Sequence, residues 1–153
     1  MGKYDLVESV LKSIGAEFLF DAVAIRPGKP TVFGRYRNKP VFGLPGNPVS
    51  TMVTFQLFVT PAIDLLSGAA ARPLPFLQAT LAQTLREKPG LTHFLPARLE
   101  WPDASPRVHA LPWQGSGDIA ALSCANCFLV VPADRHDISE GESVSVLPRL
   151  DVL

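Results

Sequence analysis

Apolar positions recur at helical spacing near the start of the chain and again in its middle, and at strand spacing through most of the remainder. Leu6, Val7, Val10, Leu11 and Ile14 share one face of a helix spanning Asp5 to Gly15. Asp5 can cap it, with Glu8 three residues on, and Gly15 stops it. Glu17 to Ile25 is a nearly continuous apolar run, too short and too β-prone for a second long helix, and predicts a buried strand. Arg26-Pro27-Gly28-Lys29-Pro30 is a proline-bounded turn. Two hairpin strands follow, Thr31 to Tyr36 and Lys39 to Leu44, with Arg37-Asn38 as the turn between them.

The segment from Val49 to Leu66 is apolar nearly all round, which predicts a helix packed on more than one side. Pro61 should kink or split it, with Thr60 able to cap a second piece. Gly68 ends it. Ala69 to Pro75 then reads as a linker, and the helical period disappears. Short β-type runs replace it: Phe76 to Leu85, Thr92 to Trp101, Arg107 to Leu111, Cys127 to Val131 and Ser143 to Leu147. Strands at this spacing predict a small β-barrel or sandwich, with a flexible Gln114 to Asp118 loop and a helical turn over Ile119 to Leu122. The expected organisation is an incomplete α/β layer over 1–68, a linker over 69–75 and an all-β domain over 76–153. Helix, strand, hairpin and helix make up only part of a covered sheet, so the first segment reads as the back half of a domain.

Leu44-Pro45-Gly46-Asn47-Pro48-Val49-Ser50 joins the last hairpin strand to the long helix. Two prolines flank Gly46-Asn47 and stiffen the turn. Asn47 suits the N-cap and Pro48 the first helical position. The amides of Val49 and Ser50 are then expected to lack intrachain partners and to offer an oxyanion seat beside the Ser50 hydroxyl. A capped helix with no ligand is the alternative.

Bulk composition narrows the classes. With 47% hydrophobic and 18% charged residues the chain belongs with globular proteins. Its 14 basic and 14 acidic residues give zero net charge, with no basic excess to draw nucleic acid or anionic membrane. The apolar helix carries Thr51, Thr54, Gln56, Thr60 and Asp64 and is not expected to span a membrane. No apolar signal region opens the chain, which predicts a cytoplasmic location. Cys124 and Cys127 form one Cys-x-x-Cys pair without a second pair for zinc, so both are expected to be buried and reduced.

Three blocks carry a resemblance. Tyr4-Asp5-Leu6-Val7, Val23-Ala24-Ile25-Arg26-Pro27-Gly28-Lys29-Pro30 and Phe42 to Ser50 are similar in order and spacing to the molybdopterin molybdenumtransferases, the MoeA family that includes the E domain of gephyrin. Gln114-Gly115-Ser116-Gly117, Ala125-Asn126 and Gly141-Glu142-Ser143-Val144 resemble that family's C-terminal β-barrel. The likeness covers nearly the whole chain but only the C-terminal part of a family member.

The resemblance implies molybdenum cofactor biosynthesis. Molybdate would be inserted into adenylylated molybdopterin with Mg²⁺ and release of AMP, in a homodimer. Asp5 matches a family aspartate near metal and phosphate, with a plain N-cap as the alternative. Arg26 and Lys29 match basic residues linked to the anionic substrate, and Ser116 matches a barrel serine that bears on activity. Together with Pro45, Gly46, Asn47, Pro48 and Ser50 they form the candidate site. Ala22, Leu91 and Pro96 stand where relatives often carry a basic residue, and Arg26 replaces a lysine of some relatives. These departures keep open a non-catalytic binding or scaffold module with the same fold. Alone, the chain is expected to be inactive.

Overall fold

The structure, a computed structural model, describes residues 7–102 and 104–152. The opening residues of the predicted first helix, Asp5 among them, lie outside those described. From Val7 to Ser13 the chain is α-helical (α1), and no residue of α1 is buried. Strands β1 (Glu17–Phe20), β3 (Val32–Tyr36) and β4 (Lys39–Gly43) make an antiparallel sheet with β3 in the middle. Arg37 and Asn38 have φ of 48° and 61°, and Tyr36 pairs with Lys39. Two consecutive left-handed residues are the turn that matches strand twist in a two-residue hairpin, and asparagine tolerates that region.

The apolar run from Glu17 to Ile25 is not one buried strand. β1 ends at Phe20 and lies at the sheet edge with Leu19 60% exposed. After a bend, β2 (Ile25–Arg26) leaves this sheet altogether. It pairs in parallel with β7 (Thr92–Glu100), aligning Ile25 with Thr92 and Arg26 with His93. The run reads as continuous because it serves two sheets in turn.

From Pro48 to Leu66 the backbone is helical throughout: α2 (Pro48–Thr54), a π-helical turn (Phe55–Val59) and α3 (Thr60–Leu66). Pro61 does not split it, and Thr60 is not a cap; its N–H donates to the Phe55 carbonyl five residues back. A proline lacks the N–H and crowds the carbonyl four residues earlier, and the wider π turn gives that ring room. The helix packs on more than one side: Val49 and Val53 cluster with Phe94, Phe128 and Leu147, and Phe58 lies against Phe20 of β1 at 6.1 Å between ring centroids. A further side is left bare. Val49, Val53 and Gln56 are buried while Phe55, Ile63, Leu65 and Leu66 are exposed. Gly68 ends α3 at φ 86°, and the Gly68 and Ala69 amides donate to the Leu65 and Asp64 carbonyls in a Schellman arrangement.

The remaining strands are β5 (Leu77–Leu81), β6 (Leu85–Arg86), β8 (Arg107–Ala110), β9 (Cys127–Val131), β10 (Asp137–Ile138) and β11 (Ser143–Pro148). β7, β8, β5, β11 and β9 pair in that order, and β9 pairs back onto β7, so five strands close into a barrel. Leu95, Ala97, Leu99, Leu129, Val131, Val144 and Val146 share its interior cluster. The alternate positions Phe94, Phe128 and Leu147 belong to a second cluster with Val49 and Val53 of α2. Thus α2 covers the outer wall, which explains why β9 is apolar at every position. A short helix, α4 (Ile119–Cys124), adds Leu122 to that cluster.

Cys127 is buried and Cys124 exposed, so the expectation of two buried thiols holds for one of them. Burial pushes the Cys127 thiol up from its ordinary 9.0 to about 12. The segment 69–75 carries contacts of its own. Arg72 pairs with Asp64 at 3.0 Å, and together with α3 the segment walls a cavity of about 300 Å³.

Candidate functional site

The Pro45-Gly46-Asn47-Pro48 turn is tied down from inside α2. The Thr51 hydroxyl donates to the carbonyls of Pro45 and Asn47, the latter at 3.0 Å. Asn47 has the extended backbone of an N-cap and Pro48 occupies the first turn, yet the Asn47 side chain makes no capping bond. It turns outward, and its Nδ2 donates to Ser116 Oγ at 2.8 Å. The Ser116 carbonyl in turn accepts the Val49 N–H at 3.1 Å. The Val49 amide is therefore not free for an oxyanion: a residue 67 positions downstream caps the helix in its place. Ser50 is 4% exposed and stands on the packed side.

Ser116 owes its position to α4. Asp118 caps that helix by accepting the Ala121 N–H at 2.9 Å, and its other oxygen accepts the Gln114 N–H at 3.0 Å. These two amides, Ala121 first, hold the Asp118 carboxyl below its ordinary value. Gly115, at φ 114°, lets the loop turn between them. At the far end of α4 the buried Arg149 guanidinium donates to the Leu122 carbonyl and, at 2.8 Å, to that of Ala125. Asp151 partners Arg149 at 2.5 Å, and this hydrogen bond keeps the Asp151 carboxyl low. An acid at the start and a cation at the end also complement the helix dipole.

The Arg26-to-Pro30 turn is fixed from two sides. β2 anchors it to the barrel, and Gly28 lies against α2, where a Cβ would stand 2.6 Å from Thr54 Cγ2. Gly28 also has φ 116°, so only glycine fits both the backbone and the contact. Thr31 Oγ1 donates to the Gly28 carbonyl at 2.6 Å. Arg26 and Lys29 are exposed and have no ion-pair partner among the described residues. Such cations are available to an anionic ligand.

The structure thus joins Asn47 to Ser116 directly and puts Arg26 and Lys29 on one rigid turn packed against the same helix. No hydrogen bond or ion pair links the cation turn to Asn47 or Ser116 among the described residues. Asp5 lies outside them. No group of three or more His, Cys, Asp or Glu gathers for a metal among the described residues. Ala22 is exposed, Leu91 is half-buried, and Pro96 is buried in β7 opposite Phe128. Sequence reading passed over Asp118; its place just before the apolar Ile119-Ala120-Ala121-Leu122 run was the available signal.

Comparison with known proteins adds a consistent set of likenesses. Residues 78–149 match the family described as MoeA C-terminal region (domain IV), and residues 1–65 match the one described as "Probable molybdopterin binding domain". The molybdopterin molybdenumtransferase of Haemophilus influenzae is 34% identical over 150 residues, covering 97% of this chain and 37% of that protein. Its Staphylococcus aureus counterpart is 31% identical over 147 residues, covering 96% of this chain and 35% of its own. The chain therefore spans about a third of the length of these relatives. Among solved structures, the molybdopterin biosynthesis moea protein from Pyrococcus horikosii superposes with a TM-score of 0.78 at 32% identity, over 94% of this chain and 34% of that one. A molybdenum cofactor biosynthesis protein from Pyrococcus furiosus gives a TM-score of 0.67 at 30% identity, over 94% of this chain and 54% of that one.

Proposed function

We propose, because the chain belongs to the MoeA family, that it works in molybdenum cofactor biosynthesis and supplies one wall of a site for adenylylated molybdopterin and molybdate. In a full-length family protein that site inserts molybdate into the pterin dithiolene with release of AMP. The observation that carries this reading is the Asn47–Ser116 hydrogen bond. It places the two residues singled out from different ends of the chain 2.8 Å apart, at the join between the two matched regions.

The residues divide by chemistry. Arg26 and Lys29 are exposed cations suited to a phosphate or a molybdate dianion, and the arginine fork can engage two oxygens at once. Asn47 and Ser116 offer a neutral donor–acceptor pair beside a backbone made rigid by Pro45, Gly46 and Pro48, while buried Ser50 supports that turn from the core side. Asp5 would be this chain's contribution to Mg²⁺. The described residues gather no metal-binding cluster. We place the protein in the cytoplasm as a homodimer, the dimer being supported by the exposed apolar positions on α1 and β1.

Isothermal titration with molybdopterin and with molybdate tests the assignment in a full-length family protein carrying this segment. Asn47→Ala or Ser116→Ala should weaken binding roughly tenfold, the worth of one to two hydrogen bonds. Unchanged affinity in both would remove the pair from the site. The chain by itself should not insert molybdenum. A scaffold reading is favoured by Ala22, Leu91 and Pro96, which supply no cation, and would leave the wild type without detectable ligand binding.

A further inference from the structure

We infer that Asp118 is a positioning residue, which holds Ser116 as a cap on α2 and so sets the direction of the Asn47 side chain. The importance of that direction for ligand binding rests on the functional reading above; the mechanical link does not.

The chain of contacts is short and continuous. One Asp118 oxygen takes the Ala121 N–H at 2.9 Å and thereby fixes the residue to the start of α4. The other takes the Gln114 N–H at 3.0 Å, and the Asp118 N–H donates to the Gly115 carbonyl at 3.0 Å. The loop from Gln114 to Asp118 is thus closed on itself with Ser116 at its tip. A residue there, preceded by Gly115 and followed by Gly117, has little intrinsic preference for one conformation. The carboxylate supplies what the glycines lack. Its partner helix cannot drift, because Leu122 packs with Val49 and Val53 and Arg149 holds the Leu122 and Ala125 carbonyls.

Ser116 then makes two bonds that reach α2. Its carbonyl satisfies the Val49 N–H, and its hydroxyl receives the Asn47 amide. Asn47 would otherwise be free to fold back and cap its own helix, as asparagine normally does. Ser116 relieves it of that task at Val49 and leaves its amide pointing towards the loop. Asp118 touches neither Asn47 nor Val49 in any of these bonds, so its hydrogen-bonded route to both runs through Ser116.

The test compares wild type, Asp118→Ala and Asp118→Asn by residue-resolved amide hydrogen exchange on the full chain, with no ligand present. Asp118→Ala should speed exchange of the Val49 N–H about tenfold or more while Val146 and Leu129 in the barrel keep their rates. Asp118→Asn keeps one acceptor oxygen and should fall between the two. If Val49 exchange is unchanged, or if barrel amides accelerate in step with it, Asp118 is a general stabiliser and the inference is wrong. Should the alanine variant not fold, the asparagine variant carries the same comparison. Titration of a full-length family protein with molybdate and molybdopterin forms the second arm. Failure of the wild type to bind would sink the functional reading, while the exchange result still decides the role of Asp118.

Discussion

Residues 7–66 and residues 77–149 meet at one seam, yet they bury apolar surface in opposite ways. The barrel closes on itself: Leu81, Val108, Leu129 and Val146 are fully buried, and each strand of the ring has a neighbour on both sides. The earlier region stays open. α1 has no buried residue, Val7, Val10 and Ile14 are all about half exposed, and β1 is an edge strand with Leu19 uncovered. A closed ring has no unpaired edge and encloses an interior core, whereas a three-stranded sheet with one helix leaves faces to be covered. What the earlier region does bury, it buries largely against the barrel, through Val49, Val53 and Ile25.

The sharpest way to probe this contrast is a matched pair of truncations. Leu129→Ala in the barrel should cost about 2–5 kcal/mol in denaturant unfolding, and Leu19→Ala about 0.5 kcal/mol or less. Equal losses would break the comparison, because they would mean that the β1 face is covered in solution. Next in size is Gly28→Ala at the seam, expected to cost about 1–3 kcal/mol from backbone strain and from the contact with Thr54. A neutral result by thermal unfolding would show that the turn can move off α2.

Smaller effects follow from ionisation, and they lie on the barrel side. Cys127 keeps its proton to about pH 12 when folded, while an unfolded thiol loses it near its ordinary 9.0. The unfolded state thus binds fewer protons between those values, and stability should fall as pH rises through that window. A thiol reagent at neutral pH should modify Cys124 and spare Cys127. At the acid end, Asp118, Glu142 and Asp151 have depressed carboxyl values, Glu142 chiefly through Arg135. Their contribution is present above the ordinary carboxylate range and is lost as pH falls through the depressed values. A pH titration of unfolding that stays flat in both windows would contradict these assignments. The smallest expected effect is Glu17→Ala, which removes the exposed pair with Arg35 and should change stability by about 0.5 kcal/mol or less.

The same division governs what could be read in advance. Strands β7, β8, β9 and β11 were legible within one or two residues, because apolar alternation and Pro, Gly or Asp punctuation agree there. The Arg37-Asn38 turn was legible from residue chemistry alone. Reading failed where one run of sequence answers to two environments. Glu17 to Ile25 divides between an open sheet and the barrel edge. The candidate site was legible as residue types but not as a geometry. Nothing local to Asn47 reveals that Ser116 takes over its capping bond, since that contact depends on where a distant loop is carried.

The clasp formed by Arg72 and Asp64, and the bonds that cross the seam beyond it, bear on how the chain could be divided. Covalent continuity through Ala69–Pro75 is the least of what holds the two parts together. β2 is hydrogen-bonded to β7, Ser116 to Val49, and Gln56 to the Pro148 carbonyl. A cut between Gly68 and Pro75 should therefore give two peptides that stay together as a non-covalent pair, which makes this segment a place for split-protein reassembly.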